Sequence, residues 1–399
     1  MSRPLFVIFI TLFVNLVGFG IIIPLLPFYA QTFGASPMLI GLLFASFSVS
    51  QLIASPVLGD LSDRWGRRPV LIFSLLGTVV SFAMLALAHS LAMLFAARIV
   101  DGLSGGNITT ARAYIADITA EEDRARAFGI LGAAFGLGFI VGPGLGGLFS
   151  HISYTAPIWA AAVITILATV LAYFWLPETV HRAHTKGPSP WASLVELGGR
   201  ANLRILFGVD FVYWTAFAVY QTTFALFGAR RFGFNASETG YLLAAFGAFG
   251  VLVQGLMVGW MVAAIGEKRT LSVGFACAAI GWGGSAFTHS VPVFVALLLP
   301  GALGVGLCGS TLSALISKAA GPHEQGRVQG AAGALESLGR TLGPVWGNGS
   351  LQLYGEGASY GSAAVALAGA AALALKYKPP ARPPAQVVPG ASVPSDMSE

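Results

Sequence analysis

Three acidic residues, Asp101, Asp210 and Glu336, lie inside long apolar stretches of the sequence, where a carboxyl group could bind and release a proton. Asp101 follows Arg98 by three residues, a spacing that predicts an ion pair along one helix. Glu336 precedes Arg340 by four residues, and the same reasoning predicts a second pair. Asp210 has no basic residue within one helical turn. Because burial disfavours an ionised carboxylate, we expect Asp210 to exchange a proton most readily, with the other residues of this group supporting the coupling.

Asp210 also begins a stripe of polar and aromatic residues at helical spacing. The stripe continues through Trp214, Phe217 and Gln221, which a helix places on one face. It could line a cavity for an amphipathic aromatic compound, including a cationic one. The alternative is a buried packing face with a single acid directed at the pore. The predicted residues of a substrate cavity are Asn15, Trp214, Phe217, Gln221 and Gln254.

The composition shows which elements must position these residues. Of the 399 residues, 55% are hydrophobic and only 10% are charged, and the mean hydropathy is +0.76. Soluble domains carry about 25% charged residues. Apolar runs of about 20 residues, enough to cross about 30 Å of hydrocarbon as a helix, recur along the chain. We therefore predict an all-α polytopic membrane protein. The predicted spans are residues 5–30, 37–58, 69–88, 91–115, 127–150, 155–176, 203–229, 237–262, 270–288, 291–317, 327–350 and 357–376.

The distribution of basic residues predicts the orientation of these spans. Most of the 22 lysine and arginine residues fall on the side that carries both termini, whereas the opposite loops hold Arg230 and Arg231. The positive-inside rule therefore predicts cytoplasmic termini. Since no soluble face gathers basic residues, we expect membrane lipids as partners and no nucleic acid.

No group of side chains in the sequence predicts a metal or a cofactor. The six histidines fall at predicted span ends or in loops, and Cys277 and Cys308 lie in apolar segments as small core residues. The sequence also lacks a nucleophile with a base and a nucleotide-binding loop. We therefore expect neither a cofactor nor an enzymatic activity.

The sequence has the layout of a duplicated six-helix unit. Gly59 and Gly66 close the second span, and Gly259 and Gly266 repeat them 200 residues later. A repeat with the same orientation is the architecture of one large class of transporters. The predicted domains are an N-terminal bundle (1–176), a cytoplasmic central loop (177–202), a C-terminal bundle (203–378) and a disordered cytoplasmic tail (379–399).

The stretch GDLSDRWGRRP, which begins at Gly59, concentrates charge between the second and third spans. Gly59 would let two helices approach closely, and Asp63 would place an anion beside the partly positive N-terminus of a neighbouring helix. The basic residues Arg64, Arg67 and Arg68 could bind carboxylates or lipid phosphates. The alternative is that these arginines only anchor the loop.

Four stretches, in order along the chain, resemble signatures of the major facilitator superfamily, specifically of its twelve-span drug:proton antiporters. They are GFGIIIPLLP from Gly18, GDLSDRWGRRP from Gly59, ARIVDGLSGG from Ala97 and GLGFIVGPGLGG from Gly136. The tetracycline-efflux and multidrug branch is the most similar. The resemblance implies two six-helix bundles, a small-molecule substrate and protons as partners, a monomer, and a location in the bacterial cytoplasmic (inner) membrane.

The resemblance also implies roles for particular residues. Arg98 would take part in proton movement, and Asp63 would contact the eleventh span and latch the two halves together on the cytoplasmic side. The implied gating residues are Gly59, Asp63, Arg64, Gly66, Arg67, Arg68, Gly142, Pro143, Gly146 and Gly147.

The sequence departs from the tetracycline branch at four positions. An aspartate of the first span corresponds to Asn15, acids of the third and ninth spans to Ser81 and Ala278, and a histidine of the eighth span to Gly250. The resemblance therefore implies that proton coupling falls on the three embedded acids.

The leading hypothesis is a proton-driven exporter of small amphipathic or lipophilic compounds that works by alternating access. The alternative is a proton-coupled importer or symporter for a metabolite or a sugar on the same fold. The Gly-Pro signature of the fifth span and the scarcity of amides in the spans favour export. A membrane receptor or a membrane enzyme is the third hypothesis.

Overall fold

The computed structural model describes residues 3–105, 107–119, 123–179, 190–321 and 324–377, and these ranges are built of helices. The predicted tail, 379–399, and part of the predicted central loop lie outside the described residues. The helices are α1 (Arg3–Thr32), α2 (Pro37–Trp65), α3 (Arg67–Ala86), α4 (Leu91–Ser104), α5 (Asn107–Ile118), α6 (Arg124–Ser150), α7 (Ala156–Trp175), α8 (Pro190–Leu197), α9 (Ala201–Phe232), α10 (Ala236–Leu252), α11 (Val258–Ile265), α12 (Glu267–Phe287), α13 (Val291–Lys318), α14 (Gln325–Tyr354) and α15 (Glu356–Leu375). A π-helical turn, Val253–Met257, joins α10 to α11.

Local sequence signals set several helix ends. Ser36 caps α2, because its hydroxyl accepts a hydrogen bond from the Leu39 amide. Asn235 and Glu238 form a reciprocal capping box at the start of α10. Gly233 ends α9 with a φ of +75°, a left-handed conformation that suits glycine.

The predicted all-α membrane architecture is confirmed by the length and composition of the helices. Ten helices within the described ranges are long and apolar enough to cross a membrane. α14 is as long, but its glycine and polar residues keep it outside that group. The prediction of one continuous fourth span is wrong, because the helix breaks at Gly105 into α4 and α5. Gln51 of α2 donates its side-chain amide to the Gly105 carbonyl at 3.0 Å and satisfies an acceptor at the break.

The two halves of the chain turn in the same way at corresponding glycines. Gly66, between α2 and α3, has a φ of +115°, and Gly266, between α11 and α12, has a φ of +81°. Glycine adopts such values without the strain that a β-carbon would cause. After each turn a basic side chain reaches a carbonyl near the end of the last helix of its half. Arg68 Nη2 donates to the Tyr173 carbonyl of α7 at 2.5 Å, and Lys268 Nζ donates to the Leu375 carbonyl of α15 at 2.7 Å.

Each half buries its own apolar core. In the second half, α9 packs against α14 and α15, and its aromatic rings stack on rings of α12 and α15. Tyr220 and Trp282 stack with ring centres 4.7 Å apart, and Phe227 and Tyr360 do so at 4.2 Å. In the first half, α1 packs on α6 and α7, and nearly all buried members of its cores come from residues 7–176. The halves therefore share little core packing.

The halves meet mainly through two pairs of helices, α2 with α14 and α6 with α10, and less extensively where α1 contacts α9 and α10. A β-carbon at Gly41 of α2 would lie 2.5 Å from the carbonyl oxygen of Pro344 in α14. A β-carbon at Gly240 of α10 would lie 2.7 Å from the α-carbon of Gly147 in α6. Backbones can approach this closely because the side chains are absent.

The helices separate toward the end of the bundle that carries Arg3 and Lys376. β-carbons placed at Gly59, Gly132 and Gly259 would meet nothing within 4 Å outside their own helices, as far as the described residues show. The close helix approach predicted at Gly59 is therefore absent in this conformation. The bundle is closed between the halves at the end opposite the termini and open at the end that carries them.

Substitution of valine for Gly240 should weaken the closed end, because the new side chain would collide with the α6 backbone. Overpacking of this kind costs about 1–3 kcal/mol. In a background that lacks both native cysteines, we expect a longer distance between spin labels at the exposed residues Ile152 and Phe287, measured by pulsed electron paramagnetic resonance. Gly250→Ala is the control, because a β-carbon at this position of the same helix would meet no described residue outside the helix within 4 Å. An unchanged distance in Gly240→Val would contradict this packing role.

Candidate functional site

A cavity of about 460 Å³ lies between the halves, on the open side of their contacts. Ligand pockets in proteins commonly measure about 300–1,000 Å³. All residues that the sequence predicts for a substrate cavity line it. They are Asn15 of α1, Trp214, Phe217 and Gln221 of α9, and Gln254 of the π-helical turn. The stripe on α9 is thus part of a cavity wall over these positions, and π-helical turns are frequent at functional sites.

Aromatic rings line both sides of the cavity. On the second half, Phe217 stacks on Tyr213 with ring centres 6.3 Å apart and meets Trp214 edge to face at 5.9 Å. On the first half, the ring centres of Phe19 and Phe47 lie 5.7 Å apart. Such rings offer broad apolar faces on which a flat molecule could stack.

The predicted ion pair between Arg98 and Asp101 is present at the edge of the cavity. Arg98 Nη1 donates to Asp101 Oδ2 at 2.9 Å, and the guanidinium lies 4.2 Å from the centre of the Phe47 ring. Arg98 is 0% exposed, and its Nε and Nη2 have no hydrogen-bond partner among the described residues. Asp101 lines the cavity. The carboxylate thus faces the cavity with its counter-ion buried behind it.

The second predicted ion pair, between Glu336 and Arg340, is wrong. Both side chains line the cavity, yet no salt bridge joins them in the part of the chain that the structure describes. The Arg340 guanidinium lies 6.0 Å from the centre of the Trp214 ring. The Glu336 carboxylate interacts electrostatically with that of Asp210. Arg340 therefore contacts an aromatic ring of α9, whereas the Asp210 carboxylate near Glu336 has the same charge and is not a counter-ion.

Asp210 lies deeper than the sequence predicts. Its side chain is buried, and it is not among the described residues that line the cavity. It sits one turn along α9 from Trp214, where α14 approaches closely. A β-carbon at Gly339 of α14 would lie 2.9 Å from the backbone nitrogen of Thr215. Asp210 therefore does not face the cavity directly. It interacts with Trp214 and Glu336, which line the cavity.

The fifth-span motif lies at the contact between the halves. β-carbons at Gly142 and Gly146 would lie 2.7 Å and 3.2 Å from backbone atoms of α1. A β-carbon at Gly147 would lie 2.8 Å from the carbonyl oxygen of Ser237 at the start of α10. Pro143 lines the cavity beside them. α6 therefore packs without side chains against its own half and against the other half.

The charged motif between α2 and α3 is bound to the first half, with Arg67 at its centre. Arg67 forms an ion pair with Asp63, and its Nε donates to Asp117 Oδ2 at 3.0 Å. Its Nη1 donates to Ser62 Oγ at 2.8 Å, and its backbone amide donates to Glu178 Oε1 at 2.9 Å. The latch between Asp63 and the eleventh span is not formed among the described residues, so for the opposite conformation it stays a prediction.

The other two arginines of the motif also bind within the first half. Arg64 forms an ion pair with Asp60 at 2.9 Å. The Arg68 guanidinium lies 5.4 Å from the centre of the Tyr173 ring. In this conformation the interactions match the alternative in which the arginines anchor the loop.

The structure adds cavity residues that the sequence analysis does not select. Arg112 lines the cavity from α5, and Gln51 and Thr78 line it from α2 and α3. Arg112 could have been identified from the sequence by its position inside the predicted fourth span, where a basic residue needs a polar environment. Gln51 and Thr78 offer no such signal, because single polar residues are common on helix faces.

The four departures from the tetracycline branch divide between the cavity and the core. Asn15 and Gly250 line the cavity. Ser81 donates a hydrogen bond to the Ala97 carbonyl at 2.9 Å in the core of the first half. Ala278 is buried against α13. A substrate in this conformation would therefore meet the first two positions and not the last two.

Comparison with known proteins identifies the family. A model of the Major Facilitator Superfamily matches residues 8–344 and, in a second match, residues 206–396. The tetracycline resistance protein, class C, of Escherichia coli is 36% identical over 352 residues, which cover 86% of this chain and 88% of that protein. Multidrug resistance protein 2 of Bacillus subtilis (strain 168) is 32% identical over 359 residues, 87% of this chain and 88% of that protein.

A solved structure is also similar to this one. The human organic anion transporter MFSD10 (TETRAN) matches with a TM-score of 0.73 at 25% sequence identity, over 93% of this chain and 99% of that chain. These matches confirm the family that the sequence motifs indicate. Since the family model spans most of the chain and the relatives align over most of their own length, this protein belongs to the Major Facilitator Superfamily.

Proposed function

We propose that the protein exports small amphipathic or lipophilic molecules, drugs among them, in exchange for protons. The observation that carries this proposal is a cavity between the halves that combines aromatic walls with charged side chains from both halves. Relatives that confer tetracycline and multidrug resistance support export. Members of the superfamily carry small molecules across membranes, which favours a transporter over an enzyme or a receptor.

The proposed orientation follows from the basic residues. Lysines and arginines gather at the end of the bundle that carries both termini, so this end is proposed to be cytoplasmic. In that orientation the cavity opens to the cytoplasm, where a substrate for export would enter. We propose a bacterial cytoplasmic (inner) membrane as the location, because the resistance proteins similar to this chain come from bacteria. The protein is proposed to act there as a monomer in contact with lipids.

Export requires that the closed end open and the open end close. The two proposed bundles, 1–176 and 203–378, would rock about the cavity as parallel repeats. At the closed end Gly147 would separate from α10. At the open end Asp63 would leave Arg67 and approach the N-terminal end of α14, whose backbone dipole attracts an anion.

Proton coupling is proposed to reside in Asp210 and Glu336, whose carboxylates interact with each other. Two neighbouring negative charges repel strongly at low dielectric constant. A proton that binds from outside would remove this repulsion, neutralise the site and favour release of the substrate. Loss of the proton to the cytoplasm would restore an anion that attracts the next substrate. Asp101, held by Arg98, is proposed as a second site of proton exchange.

Asp210→Asn should abolish proton-coupled export while the protein still folds, because asparagine has nearly the same size but cannot bind and release a proton. The measurement is substrate-dependent proton release in everted membrane vesicles, with folding checked by size-exclusion chromatography. Asp123→Asn, at the exposed start of α6, is the matched control and should behave as the wild type. Normal proton release in Asp210→Asn would remove this residue from the mechanism.

Trp214→Ala should weaken substrate binding by about tenfold, because buried aromatic anchors carry a large share of binding energy. The measurement is a fluorescence titration of the purified protein with a rhodamine dye that carries a free carboxylate. Phe174→Ala is the control, since this ring is 72% exposed on the outside of the bundle. Wild-type affinity in Trp214→Ala would place the aromatic wall outside the binding site.

Asp63→Asn should favour the conformation that is open to the cytoplasm. The exposed pair with Arg67, which the variant loses in that conformation, contributes about 0–1 kcal/mol. The attraction to the α14 N-terminus, which it loses in the opposite conformation, contributes up to about 2 kcal/mol in a partly buried site. The measurement is the distance between spin labels at the exposed residues Val57 and Trp260, which should shift toward its longer values. Asp60→Asn, which disrupts the neighbouring pair with Arg64, is the control. A shift toward shorter distances in Asp63→Asn would contradict the latch.

A further inference from the structure

The charged side chains that line the cavity form matching sets from the two halves. The first half contributes Asp101 from α4 and Arg112 from α5. The second half contributes Glu336 and Arg340 from α14. A substrate between the halves would therefore meet one acid and one base on each side.

Both cavity arginines lack a salt-bridge partner among the residues that the structure describes. Within the described ranges, neither Arg112 nor Arg340 forms a salt bridge. Arg340 lies over the Trp214 ring at 6.0 Å, and Arg112 is exposed on the open side of the cavity. A guanidinium recognises a carboxylate through two parallel hydrogen bonds. A purely cationic substrate would leave both groups unpaired and would be repelled by them.

The charge balance of the site favours a ligand that carries both signs. Arg98 and Asp210 lie behind the cavity lining. In the deprotonated form that is proposed to bind substrate, these two side chains and the four charged side chains of the lining give three positive and three negative charges. A ligand with a net charge would leave an excess charge in a partly desolvated site, which is unfavourable. A zwitterion has no net charge and therefore adds no excess charge to the site.

We infer that the preferred substrates are zwitterionic aromatic molecules. Their anionic group is bound by Arg112 and Arg340, and their cationic group is bound by Glu336. The aromatic body stacks between Phe19 and Trp214 on the two sides of the cavity. This inference rests on the proposed export function and specifies its substrate class. It narrows the broader expectation of an amphipathic, cationic compound.

A rhodamine dye with a free carboxylate and the methyl ester of the same dye form a matched pair of probes. Both carry the same cationic ring system, but only the first is a zwitterion. We expect the purified wild-type protein to bind the carboxylate dye about tenfold more tightly in a fluorescence anisotropy titration, as a charge-assisted hydrogen bond would provide. Arg112→Gln and Arg340→Gln should each weaken binding of the carboxylate dye by about tenfold and leave the ester within about twofold.

Arg204→Gln, which alters an exposed arginine of α9 outside the cavity, is the matched control and should leave both affinities unchanged. Arg340→Lys keeps the positive charge and should retain part of the preference for the carboxylate dye, which separates charge recognition from packing. If a variant fails to fold, the comparison of the two dyes on the wild-type protein still tests the inferred substrate class.

Equal wild-type affinities for the two dyes would overturn the inference, and so would equal losses for both dyes in the two glutamine variants. The same dyes are then offered to everted vesicles with and without a proton gradient. Preferential binding of the carboxylate dye without its proton-driven accumulation would support the substrate class and contradict the proposed coupling. Proton-driven accumulation of both dyes at equal rates and affinities would support the coupling and overturn the substrate class.

Discussion

A charged side chain inside a membrane must find its counter-charge within the protein, and this requirement shapes the centre of the structure. Arg98 meets it on its own helix by pairing with Asp101. Arg340 lies over the Trp214 ring of α9, whereas Glu336 lies near a second carboxylate, that of Asp210, and shares the cavity with arginines from both halves. The embedded charges are therefore balanced as a group but not pair by pair. Groups held in this way can change partners when a proton or a substrate binds.

Glycine lets the two halves touch without interlocking. At the closed end Gly147 and Gly240 bring the backbones of α6 and α10 together, and Gly41 does the same for α2 and α14. Contacts between bare backbones can separate without the repacking of side chains that a conventional core would require. Each half keeps its own core, so a rocking motion would break the glycine contacts and leave the rest of the packing in place.

Helical spacing predicts which residues share a face, but it does not predict what that face meets. Composition and motifs identify the helical membrane fold and the family, and three of the four positions of the α9 stripe line the cavity. Asp210 is enclosed because Gly339 lets α14 approach at that level, and this depends on a distant segment. The sequence analysis likewise pairs Glu336 with Arg340, because spacing along one helix gives no information about the facing helix. At the break after α4, the Gly105 carbonyl likewise accepts its hydrogen bond from a distant residue, Gln51, which lies 54 residues away in the chain.

The motif after α2 shows how two conformations can remain close in free energy. Asp63 is 47% exposed while it pairs with Arg67, and exposed ion pairs contribute about 0–1 kcal/mol. Exchange of this partner for a helix N-terminus would therefore cost little. Arg67 is only 9% exposed, and it would keep Asp117 and Ser62 when Asp63 leaves. A substrate or a proton shifts a conformational equilibrium only by its difference in affinity for the two states, so those states must lie within a few kcal/mol. A cluster in which one member changes partner while the others stay fixed satisfies that condition.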